Sequence, residues 1–168
     1  MKKLTAKQTV RRSLRATKKF MSKLGGRPTA ASGAWLEKGD GRVPGKFRVE
    51  TKCPPTAKYR FTWAEWKKLW NAAVQDHEIA VFHLKLDSVE LVVLRTVDRL
   101  ALGTKSTMAR QYGPSSVVHK GMLLSKTLWM AIQPADEIEF SIADDSGLRR
   151  DFTIIPASTF LKLTENAC

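Results

Sequence analysis

Positions near the start of the chain recur at helical spacing. Successive members of the set are four, three, four and three residues apart, which places them on one stripe of an α-helix. The stripe consists of Val10, Leu14, Thr17, Met21 and Leu24. Gly25 and Gly26 end this helix, and Pro28 prevents it from resuming. The pattern therefore predicts an amphipathic helix with basic residues on its other faces.

From residue 46 to residue 52 the pattern changes to a period of two. Phe47 and Val49 fall on one face of a strand, whereas Glu50 and Lys52 project together from the other face. The prolines at 54–55 end the strand because proline cannot donate a hydrogen bond to a sheet. We expect a half-buried strand with two charged side chains side by side.

Further along the chain, predicted helices and strands alternate. Thr62 and Glu65 have the spacing of a capping box, and they begin a helix that fades near Gln75. Two apolar strands follow, joined by a tight turn at residues 87–88. The predicted elements after residue 76 are strands at 79–86, 89–95, 137–143 and 149–155, a helix at 157–163 and a loop at 103–116. The segment at 123–132 fits either a helix or a strand, and a helix is favoured.

This order of elements predicts the fold class. It indicates an α/β fold, with α+β as the alternative, built on a mixed central β-sheet flanked by helices. No internal repeat is evident in the sequence. The length of 168 residues fits one domain that can bury a core.

The charge of the chain is large and unevenly placed. Lysine and arginine number 29 against 16 acids, a formal net charge of +13, and the first 36 residues contain ten cations and no acid. Such a balance predicts contact with nucleic-acid phosphates, ahead of an acidic membrane surface. The expected DNA-binding residues are Arg11, Arg12, Arg15, Lys18, Lys19, Arg27, Lys38 and Arg60.

Membrane and extracellular settings fit the sequence poorly. No apolar run approaches the roughly 20 residues that span a bilayer, and the basic start has no apolar core of a secretory signal. Cys53 and Cys168 are too few for a disulfide scaffold. We expect a cytoplasmic protein that binds no membrane.

One group of side chains has the composition of a metal site. If the residues around Asp40 pair with the period-two strand across a turn at Pro44 and Gly45, Asp40 lies near Glu50. Two carboxylates at one strand end provide the oxygen ligands that Mg²⁺ or Mn²⁺ prefers. Lys52, beside them, is placed to steady charge that builds on a phosphate.

Three short segments follow one another in the order of a known family. They are GGRPTAASGA at 25–34, KGD at 38–40 and RVETK at 48–52. In this order they resemble the PD-(D/E)XK nuclease superfamily, and more narrowly its archaeal and phage Holliday-junction resolvase branch. The resemblance covers roughly residues 8 to 95.

The resemblance implies a site, a fold and a substrate. Asp40 and Glu50 match the family's metal-binding carboxylates, Lys52 its catalytic lysine, and Ser32 a serine close to the scissile phosphate. The implied cofactor is Mg²⁺, for which Mn²⁺ can substitute. The implied fold is restriction-endonuclease-like, and the implied assembly is a homodimer that acts on branched DNA. A glutamate that the family carries in its first helix is missing here, and Gln8 stands nearest to it by position.

The sequence therefore predicts a metal-dependent, structure-selective DNA endonuclease, a Holliday-junction resolvase that hydrolyses phosphodiester bonds. Residues 1–100 are expected to form a nuclease-like core with a basic N-terminal helix, and residues 101–168 a strand-rich C-terminal extension packed on the same domain. If the chain is phage-encoded, its compartment is the host cytoplasm. The alternative is a non-catalytic, basic nucleic-acid-binding or virion-associated protein in which Glu50 and Lys52 form only a surface pair. Convergence of Asp40, Glu50 and Lys52 in one cleft discriminates between the two.

Overall fold

The computed structural model describes residues 6–29, 40–103, 109–112, 121–131 and 136–166. The helices in these ranges are α1 (Ala6–Lys23), α2 (Trp63–Gln75), α3 (Thr96–Ala101), α4 (Lys126–Ala131) and α5 (Ala157–Asn166). The strands are β1 (Arg27–Pro28), β2 (Gly41–Val43), β3 (Phe47–Lys52), β4 (Lys58–Thr62), β5 (Ile79–Leu86), β6 (Val89–Arg95), β7 (Arg110–Gln111), β8 (Gly121–Ser125), β9 (Ile138–Ala143) and β10 (Arg149–Pro156).

Eight of these strands form one mixed sheet in the order β1-β2-β3-β5-β6-β10-β9-β7. The pairs β3–β5 and β7–β9 are parallel, and the other pairs are antiparallel. Helix α2 makes the crossover between the parallel strands β3 and β5, as such a connection requires. The predicted mixed α/β architecture, a central sheet flanked by helices, is confirmed.

A hydrophobic cluster covers each face of this sheet. On one face, α2, α4 and the separate two-stranded ribbon of β4 and β8 pack around Phe61, Trp66 and Phe152. On the other face, α1 and α5 pack through Phe20, Met21 and Phe160. The side chains of β3 divide between the faces as the period of two predicts, so the Glu50 face lies toward α2.

The structure differs from the sequence-based prediction in the second half of the chain. The predicted helix at 123–132 is instead strand β8 followed by α4. Met122 and Leu124 are buried while Leu123 is exposed, which is the alternation of a strand. Ser125 then begins α4, because its hydroxyl oxygen accepts a hydrogen bond from the backbone of Leu128 (2.9 Å). Strand β4 and helix α3 were not predicted, and the predicted loop contains β7.

The predicted stripe of α1 also packs along only part of its length. Thr17 and Met21 are buried against the sheet, whereas Val10 and Leu14 are 59% and 50% exposed. The amino-terminal part of α1 therefore projects beyond the core, and its apolar stripe there faces solvent.

A buried carboxylate fastens the β2–β3 hairpin to the end of α2. The side chain of Glu78 accepts hydrogen bonds from Arg42 Nε (2.5 Å), Arg48 Nε (2.9 Å) and the backbone of Gly45 (3.3 Å). Asp76 pairs with both arginines from the exposed side. Because Arg48 is itself buried, this cluster fixes β3 against the connection between α2 and β5.

The backbone at the end of α2 holds this carboxylate in place. The N–H of Glu78 donates to Ala73 O (2.8 Å) and the N–H of His77 to Val74 O (3.2 Å), the two hydrogen bonds of a Schellman motif. His77 takes the left-handed conformation that the motif requires, with φ of 55°. The chain therefore turns from α2 into β5 with Glu78 directed at the hairpin.

We predict that Glu78→Gln destabilises the fold by about 3 kcal/mol, because it removes the buried negative charge that pairs with the buried Arg48. Urea denaturation measures the effect. The matched control is Asp145→Asn, which removes an exposed pair with Lys67 and should cost less than about 1 kcal/mol. Equal stability of Glu78→Gln and the wild-type protein would contradict the proposed role of Glu78.

Candidate active site and basic groove

An open cleft of about 400 Å³ lies at the carboxyl end of β3, between α1 and the ribbon strand β4. Asp40, Glu50 and Lys52 all line it. Ser13 and Tyr59 contribute the walls from α1 and β4. The three residues that the sequence singles out for chemistry are thus brought together in one cleft.

Asp40 is held in the cleft by the backbone of the neighbouring strand. Its N–H donates to Val49 O (2.7 Å), and its Oδ2 accepts a hydrogen bond from the N–H of Thr51 (2.9 Å). Gly41 pairs with Val49 across the hairpin, and the turn contains Gly45 at φ of 69°. The predicted hairpin at Pro44 and Gly45 is confirmed, and it places Asp40 beside β3.

Glu50 and Lys52 project from the same face of β3 and form an ion pair. Lys52 Nζ donates to Glu50 Oε1 at 2.7 Å. Burial and the nearby charge of Asp40 raise the pKa of Glu50 above its ordinary value. Burial lowers the pKa of Lys52, but its hydrogen bond to Glu50 and the surrounding carboxylates outweigh burial and raise that pKa overall. Lys52 therefore stays charged, while Glu50 is in an environment that disfavours its negative charge.

A third carboxylate reaches this site from α2. Glu65 accepts hydrogen bonds from Tyr59 Oη (2.5 Å) and Thr62 Oγ1 (3.2 Å), and its charge contributes to the raised pKa values of Glu50 and Lys52. Burial and the bond to Glu65 raise the pKa of the Tyr59 phenol, which stays neutral. The Thr62 and Glu65 spacing predicted a capping box, but the Thr62 side chain makes no cap bond to the α2 backbone. The Thr62 hydroxyl instead donates to Glu65, whose charge acts on Glu50 and Lys52. The spacing of Thr62 and Glu65 alone did not indicate this effect.

Helix α1 contributes no carboxylate to the cleft. Ser13 Oγ donates to Thr51 O at 3.2 Å, and Val10 lines the rim. Gln8, the positional substitute for the glutamate of the resembled family, lines a different depression on the other flank of α1. Within the described parts of the chain, no group of three or more histidine, cysteine, aspartate or glutamate side chains is arranged to hold a metal ion.

The depression on that other flank is a basic groove of about 590 Å³ between α1 and the β5–β6 hairpin. Its charged lining consists of Arg11, Arg12, Arg15, Lys19, Lys85 and Glu90. Glu90 forms an ion pair with Lys85, so the α1 cations face the groove in excess. Four of the predicted DNA-binding residues line it, and Lys85, from β5, was not predicted.

The other predicted residues lie elsewhere. Lys18 is exposed on α1, Arg27 on β1 and Arg60 on β4, and none of them lines the cleft or the groove. Ser32 and Lys38 lie outside the described residues.

The groove and the cleft are electrostatically connected at the end of β3. Cys53 lines the cleft, and the charges of Arg12 and Lys85 from the groove act on its thiol. Burial nevertheless raises the pKa of Cys53, so the thiol stays protonated and unreactive. Charges that line the groove therefore act on a residue that lines the cleft.

Comparison of the chain with protein-family models, curated proteins and solved structures finds no match. None of the described helices is long and apolar enough to cross a membrane.

We predict that Glu50 titrates above the ordinary value of 4.5 and that Asp40→Asn lowers its pKa, because the variant removes a neighbouring negative charge. Carboxyl ¹³C NMR of the metal-free protein measures both values. Since a cation binds the ionised form, cation affinity should fall as the pH falls through this raised pKa. Asp145→Asn, at an exposed turn, is the control and should leave the titration unchanged. An identical Glu50 pKa in the wild-type protein and Asp40→Asn would show that the two carboxylates do not interact.

Proposed function

We propose that the protein is a Mg²⁺-dependent endonuclease that hydrolyses phosphodiester bonds in DNA, with branched DNA as its preferred substrate and the cytoplasm as its compartment. The observation that carries the proposal is the convergence of Asp40, Glu50 and Lys52 in one open cleft. A groove lined by Arg11, Arg15 and other cations, within electrostatic reach of that cleft, supports a polyanionic substrate.

The donor set of the cleft fits a magnesium ion. Mg²⁺ is commonly bound by one or two carboxylates and completes its shell with water and substrate phosphate. Asp40 and Glu50 provide two carboxylates; burial and the charge of Asp40 raise the pKa of Glu50, and a bound cation would relieve the repulsion between the two. When bound, the ion supplies an electrophile for the phosphate and an activated water.

The residues of the chain supply the remaining requirements. The backbone of Thr51 orients Asp40, and the Lys52 ammonium stays charged at the mouth of the same cleft. A fixed cation at that position stabilises negative charge that develops on the phosphate oxygens. Tyr59 and Thr62 hold Glu65 by hydrogen bonds, and its charge acts on Glu50 and Lys52.

One observation favours a second candidate, a non-catalytic DNA-binding protein. The ion pair between Lys52 and Glu50 satisfies both side chains without a metal ion. In that case the pair stabilises the end of β3, and only the basic groove contributes to function. The two candidates differ in whether the cleft residues affect cleavage.

We predict that Asp40→Asn and Glu50→Gln each abolish Mg²⁺-dependent cleavage of a labelled four-way junction. Junction binding should remain, because removing negative charge near phosphate does not weaken the attraction between the protein and the DNA. Lys52→Ala should lower the single-turnover rate by about 100-fold at saturating protein. Four-way junction, linear duplex and single strand are compared in one assay.

The matched control for Lys52→Ala is Lys162→Ala, an exposed lysine of α5 on the opposite face of the sheet. It should cleave like the wild-type protein. Undiminished cleavage by both carboxylate variants would refute the cleft as the active site, and no cleavage by the wild-type protein with Mg²⁺ or Mn²⁺ would favour the non-catalytic candidate.

A second prediction concerns the groove. If Arg11 and Arg15 each neutralise a phosphate, the double substitution to alanine should flatten the plot of log affinity against log salt by about 1.8, which is ~0.9 per lost contact on duplex DNA. Fluorescence anisotropy at several salt concentrations measures the slope, and Lys162→Ala serves again as the control. A slope that does not change would place the DNA elsewhere on the surface.

A further inference from the structure

The second half of the described fold repeats the order of strands and helices found in the first half. Strands and helices β3-β4-α2-β5-β6-α3 form an amino-terminal unit (residues 47–101), and β7-β8-α4-β9-β10-α5 form a carboxyl-terminal unit (residues 110–166). Within the sheet, the order β3-β5-β6-β10-β9-β7 is the same read from either end. The outer pair is parallel at both ends, β3 with β5 and β7 with β9.

The pairings between the units have the symmetry of a twofold axis. Val93 of β6 lies opposite Ile154 of β10, and α3 and α5 each begin three residues after these positions. Arg60 of β4 lies opposite Leu123 of β8, and α2 and α4 likewise each begin three residues later. The β6–β10 pair and the β4–β8 pair therefore independently relate the strands and helices of one unit to those of the other in the same way.

Side chains agree with this equivalence. Thr62 and Ser125 directly precede α2 and α4, and the fourth residue of each helix is a buried tryptophan, Trp66 and Trp129. Both tryptophans belong to the same hydrophobic cluster. The two units thus share these two features of sequence as well as their topology.

The sheet registers identify the residues of the carboxyl-terminal unit that are equivalent to the cleft residues of the amino-terminal unit. Glu50 lies opposite Phe82, which lies opposite Val93. On the other side of the axis, Arg110 lies opposite Ile138, which lies opposite Ile154. Because Val93 and Ile154 are equivalent, Arg110 occupies the position of Glu50.

Two residues further along, Tyr112 falls at the position of Lys52. Both Arg110 and Tyr112 are exposed. A guanidinium repels a divalent cation and binds phosphate, so this position cannot serve as a metal ligand and is suited to hold DNA.

We propose that the carboxyl-terminal unit is a built-in, catalytically silent partner, so that one chain cuts one strand of a branched DNA while Arg110 holds a phosphate of a symmetry-related strand uncut. Strands β6 and β10 pair with each other, so the twofold interface between units is already filled within one chain. In a twofold assembly, equivalent sites face equivalent strands of a twofold substrate. The statement that the chain cuts one strand rests on the proposed nuclease function. In place of the homodimer expected from the sequence, the proposal has two unequal units within one chain.

The first experiment measures stoichiometry. Multi-angle light scattering of the full chain, alone and with an uncleavable four-way junction in Ca²⁺, should give a particle of one 18.9 kDa chain and a complex of one chain per junction. A stable dimer, free or on the junction, would overturn the proposal whether or not the protein cuts DNA.

The second experiment counts cuts. A supercoiled plasmid that extrudes a cruciform should be converted by Mg²⁺ and the protein to nicked circles, since each binding event cuts one strand. Direct conversion to linear plasmid would overturn the proposal and would leave the nuclease function intact. A complete lack of cutting would refute the nuclease function, and the silent partner would then be judged by stoichiometry and by Arg110.

The third experiment tests Arg110 by binding alone. Arg110→Ala should weaken four-way junction affinity by about tenfold or more, as expected for the loss of a charge-assisted phosphate contact, and leave linear duplex affinity unchanged. Lys162→Ala is the matched control, and Arg110→Lys should recover part of the loss because it keeps the charge. Unchanged junction affinity in Arg110→Ala would refute the role of the carboxyl-terminal unit in holding a second strand.

Discussion

The buried carboxylate of Glu78 is the fixed point on which the geometry of the cleft depends. It joins Arg42 of β2 and Arg48 of β3 to the segment where α2 ends and β5 begins. Once these pieces are joined, β3 lies parallel to β5, and the hairpin that carries Asp40 has one position relative to Glu50. The residues of the candidate site are therefore held by the sheet and by the α2 crossover. The buried ion cluster around Glu78 fixes their relative positions.

The cleft itself is electrostatically unbalanced, and that imbalance is the basis of its proposed chemistry. Asp40, Glu50 and Lys52 line it together, and the charge of Glu65 on α2 also acts on Glu50 and Lys52. Burial and the charge of Asp40 raise the cost of keeping Glu50 ionised, and in the proposed function a divalent cation offsets that cost. The groove on the other flank of α1 is lined mostly by cations, so one helix separates the proposed metal site from the proposed DNA-binding surface.

Patterns among residues close together in the sequence predicted the parts of the structure that depend on neighbouring residues alone. The period of two placed Glu50 and Lys52 on one face, and the proline–glycine turn placed Asp40 beside them. Glu65 and Lys85 depend on where α2 and β5 pack, which spacing along the chain does not contain. The repeated order of strands and helices was missed for a related reason: it is expressed in sheet registers and in the paired tryptophans Trp66 and Trp129, while the residues at the equivalent site differ completely.

The most direct test of the central claim is the position of a bound metal ion. Crystals grown with Mn²⁺ and a non-hydrolysable phosphorothioate junction give an anomalous signal that identifies the ion independently of activity. The account predicts one manganese peak in the cleft, coordinated by carboxylate oxygens of Asp40 and Glu50 and by a DNA phosphate. A cleft in which Lys52 and Glu50 remain paired, with manganese absent or bound elsewhere, would contradict it.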